Sequence, residues 1–169
     1  NTVSVRLGDG VGGFSGATDV SVDSEPMSVT VADVSGDGHL DILTANNSGG
    51  TVSVRLGDGA GGFSGTTEVS VGSEPGSVTV ADVNGDGHLD ILTANNGNDT
   101  VSVRLGDGAG GFSGTTDISV GADPFGVTVA DVNGDGKLDI LTANNGNGTV
   151  SVRLGDGAGG FSGTTGIAV

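Results

Sequence analysis

Thr51-Val-Ser-Val-Arg-Leu-Gly-Asp-Gly59 recurs almost unchanged at residues 2–10, 100–108 and 149–157. Val3, Val52, Val101 and Val150 are therefore spaced by 49 residues. Between these copies stands a second motif, Asp33-Val-Ser-Gly-Asp-Gly-His-Leu-Asp41, which returns at residues 82–90 and 131–139 on the same period. Self-similarity at a fixed spacing of this size is the mark of a repeat architecture in which each unit packs mainly on its neighbours. One unit thus describes the chain.

Working outward through residues 27–75, Ser28-Val-Thr-Val-Ala32 alternates apolar and polar residues and predicts a strand. Leu40-Asp-Ile-Leu-Thr-Ala45 places aliphatic residues at both parities, the pattern of a strand covered on both faces. Thr51-Val-Ser-Val-Arg-Leu56 directs Val52, Val54 and Leu56 one way and Ser53 and Arg55 the other, and residues 66–71 predict a fourth, shorter strand. The acidic motif joins the first two strands, and Asn46-Asn-Ser-Gly-Gly50 and Gly57-Asp-Gly-Ala-Gly-Gly62 make hairpins. The expected fold is all-β: propeller blades of four antiparallel strands. Residues 1–22 supply the third and fourth strands of a half blade, followed by full blades at 23–71, 72–120 and 121–169.

Composition narrows the chemistry. With 36 glycines, no Trp, Tyr or Cys and five Phe, the core is aliphatic, and neither disulfides nor a cysteine nucleophile are available. A formal charge of −16 with only five Lys and Arg excludes a phosphate-binding surface, whether nucleic acid or anionic membrane. No apolar run approaches membrane-spanning length. The opening residues Asn-Thr-Val-Ser carry neither a signal n-region nor an initiator Met, which suggests a processed product or an excerpt. An arc of three and a half blades exposes apolar faces and strand edges, so other copies of the chain, in a ring or filament, or further repeats are the expected partners.

The acidic motif offers side-chain oxygens at positions 1, 3, 5 and 9: Asp33, Ser35, Asp37 and Asp41; Asp82, Asn84, Asp86 and Asp90; Asp131, Asn133, Asp135 and Asp139. Hard oxygen donors rich in carboxylate suit calcium at three sites. Position 7 is His39, His88 and Lys137; because Lys cannot ligate here, that position is assigned its main-chain carbonyl. An EF-hand is the rival, but it needs Glu at position 12, where this chain has Thr44, Thr93 and Thr142, and helical flanks. Without a cation, three carboxylates in each loop repel one another.

These three loops resemble, position by position, the calcium pattern of FG-GAP or VCBS repeats, which build integrin α-subunit heads and many bacterial surface and lectin-like propellers. The resemblance implies a propeller, commonly seven-bladed, with calcium between a blade's first two strands. Phe125-Gly126 keeps the Phe-Gly pair, whereas Met27-Ser28 and Gly76-Ser77 replace it. Ala45-Asn46 stands where integrins have Ala-Pro, so the bacterial VCBS branch is closer and integrin ligand specificity does not carry over.

Other motifs carry less. Gly8-Asp-Gly-Val-Gly-Gly13 and its copies have dinucleotide-fingerprint spacing but lead into strands, not helices. Asp9, Asp58, Asp107 and Asp156 read as turn formers, with a second, weaker cation site as the alternative. The histidines sit where Lys137 substitutes, so neither is a general base, and no nucleophile is positioned. Sequons at Asn46, Asn98 and Asn147 fall in Asn-rich hairpins. The functional expectation is a non-enzymatic, calcium-stabilised extracellular or cell-surface bacterial protein with a structural or adhesive role through self-assembly. The alternative is a lectin-like, carbohydrate-binding module, with glycans or a surface protein as partners.

Overall fold

The computed structural model describes residues 1–169, apart from the side chains of residues 164 and 165. Fourteen strands form four antiparallel sheets, each a simple meander. The first sheet holds β1 (Thr2–Gly8) and β2 (Phe14–Ser21). The second holds β3 (Pro26–Ala32), β4 (Asp41–Asn46), β5 (Thr51–Gly57) and β6 (Phe63–Ser70). The third holds β7 (Pro75–Ala81), β8 (Asp90–Asn95), β9 (Thr100–Gly106) and β10 (Phe112–Ser119). The fourth holds β11 (Pro124–Ala130), β12 (Asp139–Asn144), β13 (Thr149–Gly155) and β14 (Phe161–Ala168). These are the half blade and three full blades, and a single 3-10 turn, Asn96–Asn98, interrupts the strands.

The blades stack face to face. β3 packs on β7 and β7 on β11, so the first strands of successive blades lie side by side, as they do around a propeller axis. Each seam between full blades has its own aliphatic core. In the first, Leu43, Ala45, Val52 and Val54 of one blade meet Val78 and Ile91 of the next. In the second, Leu92, Ala94, Val101 and Val103 meet Val127 and Ile140. The second strand is buried along its whole length in the first two full blades, as its two-sided apolar pattern requires.

The fourth strand corrects the sequence reading. β6 has eight residues, one more than β5, and starts at Phe63 instead of Thr66. Its pairing with β5 shifts register between Val54 and Leu56, a bulge that leaves Gly65 at φ 87°. Gly114 adopts φ 86° at the matching place. Glycine reaches this region without steric cost, so the strand continues through a residue that reads as a breaker.

The third strand is also more deeply placed than one apolar face implies. Ser53 and Arg55, expected opposite the valines, are buried as well. Arg55 Nε donates to the Ser21 carbonyl of the preceding sheet (2.8 Å), and its Nη1 donates to the Thr67 carbonyl (3.1 Å). Arg104 Nε reaches Ser70 O (2.8 Å) and Arg153 Nε reaches Ser119 O (2.9 Å) in the same way. One arginine per seam therefore pins each blade to the outer strand of the one before it.

Candidate metal centre

Each acidic motif forms the loop between the first and second strands of its blade. In the first loop, Asp33 turns its carboxylate inward: Oδ1 accepts from the amides of Gly36 (2.7 Å) and Asp37 (3.2 Å), and Oδ2 accepts from Gly38 (2.8 Å). Asp82 and Asp131 accept the corresponding amides. These amides hold the carboxyls of Asp33 and Asp131 below the ordinary carboxylate range, with Gly38 and Gly136 as the largest contributors. Gly36 and Gly38, at φ 72° and 88°, let the main chain wrap around position 1.

Positions 3 and 5 sit beside position 1. Ser35 Oγ lies 3.5 Å from Asp33 Oδ1, and Asn84 Nδ2 donates to Asp86 Oδ2 at 2.8 Å. Asp86 also accepts from the His88 amide (2.8 Å), which is the chief cause of its lowered pKa. Asp37 and Asp135 accept from the amides of His39 and Lys137.

Position 9 has a second duty. Asp41, Asp90 and Asp139 are fully buried at the base of their loops. Asp41 Oδ2 accepts from the amides of Val34 (3.0 Å) and Ser35 (3.1 Å), while Oδ1 accepts from Gly57 (2.9 Å) at the end of the third strand. Asp90 and Asp139 repeat the contacts with Val83 and Gly106 and with Val132 and Gly155. Burial pushes the Asp90 carboxyl up, and the charges of Asp86 and Asp82 push it further. The donor types and their order around the loop are those that suit a hard divalent cation such as calcium. Among the described residues no three acidic or histidine side chains are gathered at metal-holding spacing. The loops instead present the donors with positions 1, 5 and 9 engaged by main-chain amides.

The position 7 side chains lie over the Gly-Asp-Gly hairpin of their own blade. His39 covers Gly59, His88 covers Gly108 and Lys137 covers Gly157. That placement fits a main-chain role at position 7. Asp9, Asp58, Asp107 and Asp156 shape these hairpins, as expected: Asp58 Oδ1 accepts from Ala60 (2.8 Å) and Gly62 (2.9 Å). The first hairpin sequon is closed by burial, because Asn46 is fully buried and its Nδ2 donates to Thr51 Oγ1 and Ser53 Oγ.

Sequence reasoning missed that the loops belong to the seams. The Gly110 amide, in the hairpin of the next blade, donates to the Val34 carbonyl at 3.1 Å, and the Gly108 carbonyl lies against Gly36. The signal was available in the unvaried Gly-Gly pair of each hairpin. A Cβ on Gly61, Gly110 or Gly159 would press on Leu7, Leu56 or Leu105 of the preceding blade.

Among solved structures, an Agrocybe aegerita lectin described as recognising non-reducing terminal N-acetylglucosamine matches with a TM-score of 0.61 and 24% identity, over 99% of this chain and 46% of that one. The Vibrio cholerae biofilm matrix protein Bap1 matches with a TM-score of 0.47 and 23% identity, over 81% of this chain and 19% of that one. The chain thus spans less than half the length of either. No curated protein matches it. The FG-GAP-like repeat family matches residues 1–44, 33–93 and 82–142. With four-stranded blades repeating along its length and that match over most of its residues, the chain belongs to the FG-GAP-like repeat family.

Proposed function

We propose that this chain is a non-catalytic, calcium-stabilised segment of an extracellular structural or adhesive protein, whose open blade faces are covered by further blades of the same kind. The observation that carries the reading is the position of the acidic loops. Each ties the first strand to the second inside a blade, and the first is hydrogen bonded to the following blade as well. A cation there braces a blade and its seam together. Calcium enters with Asp33, Ser35, Asp37 and Asp41, with Asp82, Asn84, Asp86 and Asp90, and with Asp131, Asn133, Asp135 and Asp139, plus the carbonyls of His39, His88 and Lys137.

Calcium at extracellular, millimolar concentration and a Kd of about 0.1 mM contributes about 1.4 kcal/mol per site. Three sites amount to a large share of a typical margin of about 5–15 kcal/mol. Thermal melts with calcium and with chelator test this, at matched ionic strength; an unchanged Tm refutes the stapling. Open apolar surface at both ends supports assembly with other copies or further repeats. Val29 is 54% exposed at one end, and Ala143 of the last blade is exposed where Ala45 and Ala94 are buried. Native mass spectrometry of the calcium-loaded chain reads the assembly directly, and a strict monomer counts against copies as the covering element.

Carbohydrate binding is the second reading, favoured by the fold shared with the lectin. The absence of Trp and Tyr leaves only Phe as an aromatic platform, with Phe14 and Phe125 exposed. A glycan array including terminal N-acetylglucosamine decides it.

A further inference from the structure

We infer that Asn147 is a self-modifying site, at which the folded chain converts its own asparagine to aspartate and isoaspartate. This rests on the hairpin between β12 and β13, not on calcium or adhesion. Five asparagines precede glycine: Asn84, Asn96, Asn133, Asn145 and Asn147. Glycine has no side chain to keep its amide from the neighbouring carboxamide, so all five are candidates by sequence. The fold selects one of them.

In four of the five, the amide that would attack is already engaged. Gly85 and Gly134 donate to the carboxylates of Asp82 and Asp131, each at 2.7 Å, and a proton beside a carboxylate is hard to remove. Gly97 and Gly146 donate to the Ser73 and Ala122 carbonyls, both at 3.0 Å. Asn96 also has its Oδ1 enclosed beside Gly76. Among the described residues no hydrogen bond holds the Gly148 amide, although its counterpart Gly50 donates to Asn46 O at 3.0 Å. Asn147 itself is exposed. Its counterpart Asn98, in a blade flanked on both sides, is exposed too, so the exposure belongs to the hairpin tip.

The Asn147 carboxamide is also polarised. Asn144 Nδ2 donates to Thr149 Oγ1 (3.0 Å), which directs that hydroxyl to donate to Asn147 Oδ1 at 2.7 Å. The Gly148 nitrogen gives its proton to solvent and bonds to Asn147 Cγ, and the negative charge that gathers on Oδ1 meets the Thr149 hydroxyl. The Cγ–Nδ2 bond then breaks and ammonia leaves with a proton from water, closing a succinimide ring. Water opens the ring at either carbonyl, to aspartate or isoaspartate, so one water is taken up for each ammonia released. Asn98 has the same relay, through Asn95 and Thr100 (3.0 and 3.1 Å), but Asp99 follows it. Asp99 and Gly148 both lie in the left-handed region, at φ 55° and 61°, so each place accepts the other's residue.

The test is incubation of the folded chain at mildly alkaline pH, with calcium in excess throughout, followed by peptide mapping of the deamidation mass gain and of isoaspartate. Asn147 should convert at least about tenfold faster than any of the other four, and in urea the five rates should converge. Gly148→Asp should slow Asn147 at least about tenfold, whereas Asp99→Gly should open a second reactive site at Asn98. Thr149→Val should slow Asn147 at least about fivefold, and Thr149→Ser should restore it. A lead taken by another asparagine overturns the inference, as does a lead of Asn147 that persists undiminished in urea. So does an Asn98 that stays inert in the Asp99→Gly chain, or a Thr149→Val chain that converts as fast as the parent.

Discussion

Arg104 and Arg6 occupy the same position of the repeat in identical local sequence, Val-Ser-Val-Arg-Leu-Gly, yet their surroundings differ completely. Arg104 is 6% exposed and donates to the carbonyls of Ser70 (2.8 Å), Val103 (2.9 Å) and Thr116 (3.0 Å), with Asp117 Oδ1 at 3.1 Å. Arg104→Ala removes the charged donor from the Ser70 and Thr116 carbonyls, at about 1.5–3 kcal/mol for each hydrogen bond made by a charged group. The Asp117 pair adds little, since that carboxylate is 39% exposed and screened by solvent. The expected loss is about 3–5 kcal/mol, or about 6–20 °C in Tm for a chain of this size. Arg6 is exposed, with a single bond to Gly16 O at 3.2 Å, so Arg6→Ala should stay within about 0.5 kcal/mol. Arg104→Lys falls between, because an ammonium cannot span carbonyls on two blades as the planar fork does. Urea and thermal melts followed by circular dichroism read all three, and blades that decouple split the transition in two. Equal effects at the two arginines, or a loss below about 1 kcal/mol for Arg104→Ala, refute the pin.

Leu92→Ala should cost about 2–5 kcal/mol by urea denaturation, while Leu141→Ala, on the open face of the last blade, costs less than half as much. Gly106→Ala brings a Cβ into the Leu89 carbonyl and should lower Tm sharply, whereas Gly8→Ala meets only the edge of Phe14 and should be neutral by the same melts. The hairpin carboxyls of Asp9, Asp58, Asp107 and Asp156 are held below 3.8, first by the amides of Val11, Ala60, Ala109 and Ala158. Their contribution is complete above pH 3.8 and drains away as pH falls through the lowered values, because the unfolded chain then binds more protons. Asp90 has the opposite sign: its raised pKa makes folding take up a proton, so in chelator stability rises slightly as pH falls toward 3.8. Tm against pH in chelator should therefore hold or rise slightly to about pH 4 and then drop. A steep decline already between pH 7 and 5 contradicts both assignments.

The blade was legible because its signals are local and repeated. The 49-residue period, the alternation of Ser28–Ala32 and the two-sided Leu40–Ala45 each state what their strand touches. The start of the fourth strand was not legible, since Gly65 reads as a break and only the pairing partner shows it to be a bulge. The seam arginines were hidden for a different reason. Arg6, Arg55, Arg104 and Arg153 are indistinguishable in sequence, and only stacking decides which is buried. The loop donors were legible by type and order, but the double duty of Asp41, Asp90 and Asp139 was not. Their contacts with Gly57, Gly106 and Gly155 run 16 residues along the chain, across two strands.

The allocation of charge connects these features. Of the five Lys and Arg residues, Arg55, Arg104 and Arg153 are consumed in the seams, leaving Arg6 and Lys137 to face the 21 acidic residues less Glu68 and Asp117, which pair with Arg55 and Arg104. The outer surface therefore has almost no cationic partner of its own, and Lys137 lies over a hairpin glycine. Self-repulsion on this scale opposes the compact state. Monovalent salt screens it diffusely, over a Debye length of about 8–10 Å, and acts on every carboxylate alike. On the proposed function, a divalent ion in the loops would instead act locally, beside the Asp82 and Asp86 charges that push the buried Asp90 carboxyl up. That difference separates a stapled repeat from one that is merely acidic. Stabilisation by calcium must exceed that of sodium at equal ionic strength, and it must be lost loop by loop as each position 1 aspartate is removed.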